Sequence, residues 1–171
     1  MIEVVIDSIR ISLVSQHRIV LLKEIDSDRQ LPIWIGPCEA DAITIELQDV
    51  KVARPLTADL VNLVTKELGG EISYVLIREL TESVFHASLF IEIGDAKREI
   101  DCRPSDAIAL AVRAKVPILV NEAVLEEAGV HPEPDLIQEA ETGENDADVG
   151  NLDAFSDFLD TLDFEDFEGD S

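Results

Sequence analysis

The first 35 residues carry apolar positions at strand spacing. EVVIDSIRISLV and HRIVLLKEI read as two strands rich in Ile, Val and Leu, joined near Ser15-Gln16. The polar run DSDR at 26–29 turns the chain into a third strand, LPIWI. Gly36-Pro37 then breaks that strand. Pro37 suits the first turn of a helix reaching about Gln48, with Ala40, Ile43 and Leu47 on one face. Leu60, Leu63, Val64 and Leu68 predict a second helix, with Thr57 as its N-cap and Gly69-Gly70 as its stop.

The second half follows the same plan. ISYVLIREL reads as a strand, and VFHASLFIEI alternates Phe85, Ala87, Leu89, Ile91 and Ile93 onto one face. Gly94-Asp95 fits a two-residue hairpin turn, and KREIDC returns along it. Pro104 opens a helix with Ile108 and Val112 four apart. PILV at 117–120 is a short buried strand, and NEAVLEEAG is a last helix capped by Asn121 and stopped by Gly129. The pattern is an α+β domain of duplicated strand-strand-strand-helix units. IGPCEADAITIEL and DCRPSDAIALAV look alike; aligning Asp41 with Asp106 gives an offset of 65 residues.

Charge divides the chain further. Net charge is −24, yet every Lys and Arg lies at or before Lys115, and residues 133–171 hold 15 acids and no base. The remaining 22 acids against 13 bases leave −9 for residues 1–132. The domain is therefore 1–132, followed by an acidic disordered linker at 133–150 and an acidic amphipathic segment at 151–171. In that segment Phe155, Phe158, Leu159 and Leu162 share one helical face, fit either to dock on the parent domain or to bind a basic protein partner. No basic stripe of the kind that grips a phosphate backbone is present. No apolar run reaches membrane-spanning length, so no membrane partner is expected. The N-terminus lacks a basic-then-apolar leader. With Cys38 and Cys102 read as reduced thiols, the chain reads as cytoplasmic.

One cluster carries possible chemistry. A two-residue turn at Gly94-Asp95 pairs Ser88 with Asp101 and His86 with Arg103. That puts His86, Ser88, Phe90, Glu99, Asp101 and Arg103 on one sheet face, with Asp106 in the first turn of the next helix. The offset of 65 maps His86 onto Leu21 and Asp101 onto Gly36, so the first half lacks this set. Two carboxylates (Asp101 and Asp106) can hold a divalent cation such as Mg²⁺ or Mn²⁺, His86 can shuttle a proton, and Arg103 can neutralise phosphate charge. Plainer readings exist for each: Asp106 as an acid at a helix start, His86 as a cross-strand residue, Asp101 and Arg103 as a surface ion pair. Arg54, ahead of the second helix, is a further candidate contact for nucleic acid or a loop anchor.

LPIWIGPCEADAI, RPLTADL, FHASL and CRPSDAIALAVRAKVPILV, in this order, resemble the bifunctional nuclease family over about residues 1–130. The resemblance implies a duplicated α+β fold with mixed sheets, cleavage of DNA or RNA, and self-association into a homo-oligomer. It also marks two departures: Ala58 stands where the family's RPLT motif is followed by His, and His86 stands where Tyr is usual. The alternative is a non-enzymatic interaction module whose acidic tail binds a basic partner.

Overall fold

The structure, a computed structural model, describes residues 1–11 and 18–131. The expected junction at Ser15-Gln16, the linker at 133–150 and the segment at 151–171 lie outside the described residues. Three antiparallel strands open the chain: β1 (Ile2–Ile11), β2 (Arg18–Glu24) and β3 (Gln30–Ile35). LPIWI forms the expected third strand, β3, in which Leu31, Ile33 and Ile35 are buried in the core and Trp34 is exposed. Glu24 is buried at the end of β2 because Arg29 Nε (2.8 Å) and Ser27 Oγ (2.8 Å) both donate to its Oε2, closing the turn into β3. The hydrogen bond from Arg29, then that from Ser27, pulls its carboxyl below the ordinary glutamate value.

After α1 (Pro37–Leu47) and α2 (Thr57–Glu67), a second antiparallel meander follows: β4 (Gly70–Thr81), β5 (Val84–Ile93) and β6 (Ala96–Cys102). The β5–β6 ladder has the register read from sequence, with Ile93 opposite Ala96 and Ser88 opposite Asp101. Gly94 takes the positive φ (57°) that a tight hairpin needs at its first turn position. The chain then forms α3 (Pro104–Ala114), β7 (Ile118–Val120) and α4 (Glu122–Ala128). β7 runs antiparallel to β1 and parallel to β4, joining the two meanders into one mixed sheet of order β3-β2-β1-β7-β4-β5-β6. The fold is α+β, with strand-strand-strand-helix occurring twice.

α3 is the central helix, packed against α1, α2, β4 and β5. Its buried run, Ala107 to Ala111, is mostly alanine, which lets neighbouring backbones approach closely on several sides. The side chain of Arg113, near its end, is 3 % exposed and ties three helices together. Its Nε donates to Asp59 Oδ1 of α2 at 2.7 Å, Nη2 to the Ala42 carbonyl of α1 at 2.8 Å, and Nη1 to Ala109 in its own helix at 2.9 Å. Asn121 caps α4 as expected, accepting from the Ala123 N–H.

Two expectations need correction. Thr57 does not cap α2. Leu56 holds the cap position, and Asp59 in the first turn accepts from its N–H at 2.7 Å. The apolar stripe that marked α2 faces solvent: Leu60, Leu63, Val64 and Leu68 are 47–75 % exposed, and no α2 residue is buried. α2 is held by the Asp59–Arg113 link and the flanks of α3 and β4, so periodicity marked the helix but not the face that packs. Leu47, expected beside Ala40 and Ile43, also faces solvent at the end of α1. Among the described residues no helix is long and apolar enough to cross a membrane.

Candidate functional site

The starts of α1, α2 and α3 surround one cavity of about 380 Å³. α1 begins where Gly36-Pro37 ends β3, and α3 where Arg103-Pro104 ends β6. In each, proline fills the first helical position, where its missing N–H costs nothing. The walls come from the opening turns: Cys38 and Glu39 of α1, Thr57 and Ala58 of α2, Ser105 and Asp106 of α3, with Arg103 at the rim. Neither α1 nor α3 has a side-chain cap, so their first amides are not consumed by one.

Arg103 links the two halves of the chain. Its Nε and Nη2 donate to the two oxygens of Asp106 at 2.7 and 3.0 Å, and its Nη1 donates to Glu39 Oε1 at 2.8 Å. Three of the five guanidinium N–H bonds are thereby used, leaving one each on Nη1 and Nη2. The hydrogen bond and charge of Asp106, then that of Glu39, drive the guanidinium pKa further above its ordinary value. The Arg103 side chain is 65 % exposed, so these pairs contribute at most about 1 kcal/mol each to stability. Their effect is to aim the guanidinium.

One guanidinium against two carboxylates gives the cluster a net charge of −1. Three helix N-termini, each equivalent to roughly half a positive charge, offset that and leave the cavity close to neutral. Such a site admits an anion that bare charge counting would turn away.

The structure divides the four residues singled out in the sequence. Arg103 and Asp106 meet here. Asp101 lies on the outer face of β6 and accepts from Arg78 Nη2 at 2.8 Å. Arg78 was not anticipated: a bulge between Ile77 and Glu79 turns it toward Ser88, which is fully buried and donates to Glu99 at 2.7 Å. His86 sits opposite Glu79 in the β4–β5 ladder and lines neither cavity that Arg103 borders. β6 ends at Cys102, so the ladder contains no His86–Arg103 pair.

Glu39, the acid in the first turn of α1, is a site residue that the sequence pattern did not single out. The two helix openings match at an offset of 67, not 65: Pro37 with Pro104, Glu39 with Asp106, and Gly36 with Arg103. Aligning the prolines instead of Asp41 and Asp106 would have exposed the pairing. Glu39 Oε2 folds over Gly36, where an added Cβ would collide with it.

For a divalent cation the residues do not fit. Asp101 and Asp106 are each engaged by an arginine, and among the described residues no three His, Cys, Asp or Glu side chains are grouped as ligands. Arg54 lines a separate cavity of about 430 Å³ beside Asn62 and Arg113. Burial, then the charges of Asp106 and Asp101, pushes the Cys102 thiol up to about 11, so it stays protonated at neutral pH. Ala58 lines the α1–α2–α3 cavity at the position where the resemblance leads one to expect His.

A family model described as the bifunctional nuclease domain matches residues 20–133. An uncharacterized protein of Mycobacterium tuberculosis is 40 % identical over 166 residues, 97 % of this chain and 98 % of that protein. Bifunctional nuclease 1 of Oryza sativa subsp. japonica is 33 % identical over 124 residues, covering 69 % of this chain and 38 % of the rice protein. Bifunctional nuclease 1 of Arabidopsis thaliana is 33 % identical over 107 residues, covering 61 % of the chain and 33 % of that protein. The chain thus spans less than half the length of these plant relatives.

Proposed function

The chain belongs to the bifunctional nuclease domain family, and from that membership and the cavity geometry we propose that it hydrolyses phosphodiester bonds of DNA or RNA at the α1–α2–α3 cavity. The observation that carries this is Arg103, fixed by two carboxylates with two N–H bonds to spare, at the mouth of three helix starts. A phosphodiester there accepts from Arg103 and from first-turn amides of α1 and α3, groups already in place as charge develops on the phosphoryl oxygens. Glu39 is the better base. It uses Oε1 on Arg103, whereas both oxygens of Asp106 are engaged, so Glu39 Oε2 is the carboxylate oxygen left to take a proton from the attacking water. Asp106 positions Arg103. No step is routed through a cation.

The test is cleavage of labelled single-stranded and duplex oligonucleotides by the full chain, with EDTA, Mg²⁺ or Mn²⁺. Arg103→Ala and Glu39→Gln should each lower kcat by about 100-fold or more. Asp101→Asn reports whether the Arg78 cluster takes part, and His86→Ala whether that imidazole does. Wild-type inactivity under every condition, or Arg103→Ala at the wild-type rate, refutes the proposal.

A second reading, of self-association, draws on α2. Its exposed Leu60, Leu63, Val64 and Leu68 form a face that a second copy of the chain would cover, since a two-fold interface presents the same patch from both protomers. The acidic segment 151–171 is our proposed docking element for a basic protein, to be tested by pull-down with and without residues 138–171.

A further inference from the structure

α1 and α2 each pack on α3 and scarcely touch each other, leaving a groove with α3 as its floor. Two cavities follow one another along α1 and α3. The first, bordered by Arg103, takes Glu39 and Ala42 from α1 and Asp106 and Ala109 from α3. The second, of about 430 Å³, takes Ile45 and Glu46 from the next turn of α1 and Arg113 from the next turn of α3. α2 borders both, through Ala58 and Val61 on the first and Asp59 and Asn62 on the second. We infer that the second cavity is a subsite for another nucleotide of the strand whose phosphodiester is cut in the first. This rests on the nuclease reading of the first cavity.

The second cavity matches a nucleotide group by group. Arg54, on the connection from α1 to α2, borders it exposed and with no ion pair or hydrogen bond among the described residues. Arg103 and Arg113, by contrast, are both engaged by carboxylates. An unengaged guanidinium takes a phosphate through two parallel N–H bonds. Val50, Val52 and Pro55 of the same connection are exposed along the cavity and give a base an apolar surface. Asn62 provides for the base edge. Its Oδ1 is buried with no hydrogen-bond partner, and folded proteins rarely leave such an acceptor unanswered. Turning the half-buried amide toward the cavity pairs it with a base N–H. The acids do not bar the way. Asp59 is matched by Arg113 and Glu46 is balanced by Arg54, so the cavity is formally neutral. Spacing agrees as well. About 10 Å of helix separates Asp106 from Arg113, which a strand crosses in about two or three nucleotides at about 3.4 Å or more each.

The test is a length series. The full chain is given end-labelled single strands of two and eight nucleotides, and kcat and KM are measured for wild type, Arg54→Ala and Arg54→Lys. Wild type should cleave the eight-nucleotide strand with kcat/KM about tenfold above the dinucleotide, because only the longer strand reaches Arg54. Arg54→Ala should abolish that preference through a higher KM for the longer strand. Arg54→Lys, which keeps the charge without the fork, should retain part of it. An eight-nucleotide abasic chain should bind several-fold more weakly than the intact strand. Wild type without a length preference, Arg54→Ala with the wild-type preference, or equal binding of the abasic chain overturns the inference and leaves the nuclease reading standing. So does an equal proportional loss on both lengths in Arg54→Ala, which marks a structural role for Arg54. If wild type cleaves neither strand, the nuclease reading falls and fluorescence anisotropy decides the subsite. Weaker binding of the eight-nucleotide strand by Arg54→Ala then upholds a nucleotide site there, and equal binding overturns it.

Discussion

Replacing Asp59 by alanine removes two interactions at once, and the structure sets the size of each. Its Oδ2 satisfies the Leu56 N–H at the start of α2, a cap whose loss costs about 1 kcal/mol. Its Oδ1 is the carboxylate partner of Arg113, whose side chain is 3 % exposed. Stranding one member of a buried pair costs about 3–5 kcal/mol. Here the figure falls to about 2 kcal/mol, because the Asp59 side chain is 27 % exposed and Arg113 keeps its two carbonyl bonds. The sum is about 3 kcal/mol, or a fall in Tm of about 10 °C for a domain of this size. Urea and thermal unfolding of the full chain, followed by circular dichroism, measure it. Arg113→Met in the same chain removes the stranded charge, so the double variant should be at least about 1 kcal/mol more stable than the two single losses predict. Asp59→Ala within about 1 kcal/mol of wild type, or strict additivity, refutes this account of how α2 is held.

Other consequences are checked more briefly. The Glu24 carboxyl is held below the ordinary 4.5, so its contribution to stability is fully present above that pH and is lost as pH falls through the lowered value. Glu24→Gln should therefore lower the urea midpoint at pH 7 and hardly change it at pH 2; an equal loss at both contradicts the linkage. With its thiol near 11, Cys102 is about one part in a thousand thiolate at pH 8. It should react with a disulfide reagent far more slowly than exposed Cys38, speeding up about tenfold per pH unit; two equal rates refute this. Leu63→Glu with Val64→Glu should reduce the mass in light scattering to that of the monomer, and an unchanged multimer excludes the α2 face. Single-strand affinity should fall with log salt at a slope near −1, for one or two phosphate contacts at about 0.7 each; a slope beyond about −4 would mean that backbone contacts dominate.

Much of the fold was legible because local signals agreed with the packing. Gly94-Asp95 set the β5–β6 register by turn chemistry alone, and every pair from Ile93–Ala96 to Ser88–Asp101 followed. Proline after a strand end located α1 and α3. The α2 stripe was different: 3.6-residue periodicity shows that a helix has an apolar side, not that anything in the same chain covers it. Arg78 was invisible for another reason. A bulge shifts the phase of β4 by one residue, and an Arg within an apolar run gives no sign of which face it will take. The grouping of His86, Asp101, Arg103 and Asp106 assumed that β6 continues through Arg103. It stops at Cys102, and the backbone turns into α3, carrying Arg103 and Asp106 to the helix side.

The two helix openings are alike in plan and unlike in one position, and that difference makes the cavity. Each has proline first and an acid in its third place, Glu39 in α1 and Asp106 in α3. Two such acids facing each other would repel. At the cap position, however, α3 has Arg103, which binds both, while α1 has Gly36. Glycine there is a spatial requirement, since the Glu39 carboxylate lies where a Cβ would stand. One half supplies a cation and the other the room for an acid to reach it. Gly36→Ala should therefore leave folding almost intact, because only the flexible end of Glu39 must move, yet it should cut cleavage as Glu39→Gln does. A Gly36→Ala enzyme with full activity and normal stability would show that Glu39 need not sit against Arg103, removing the base from the proposed site.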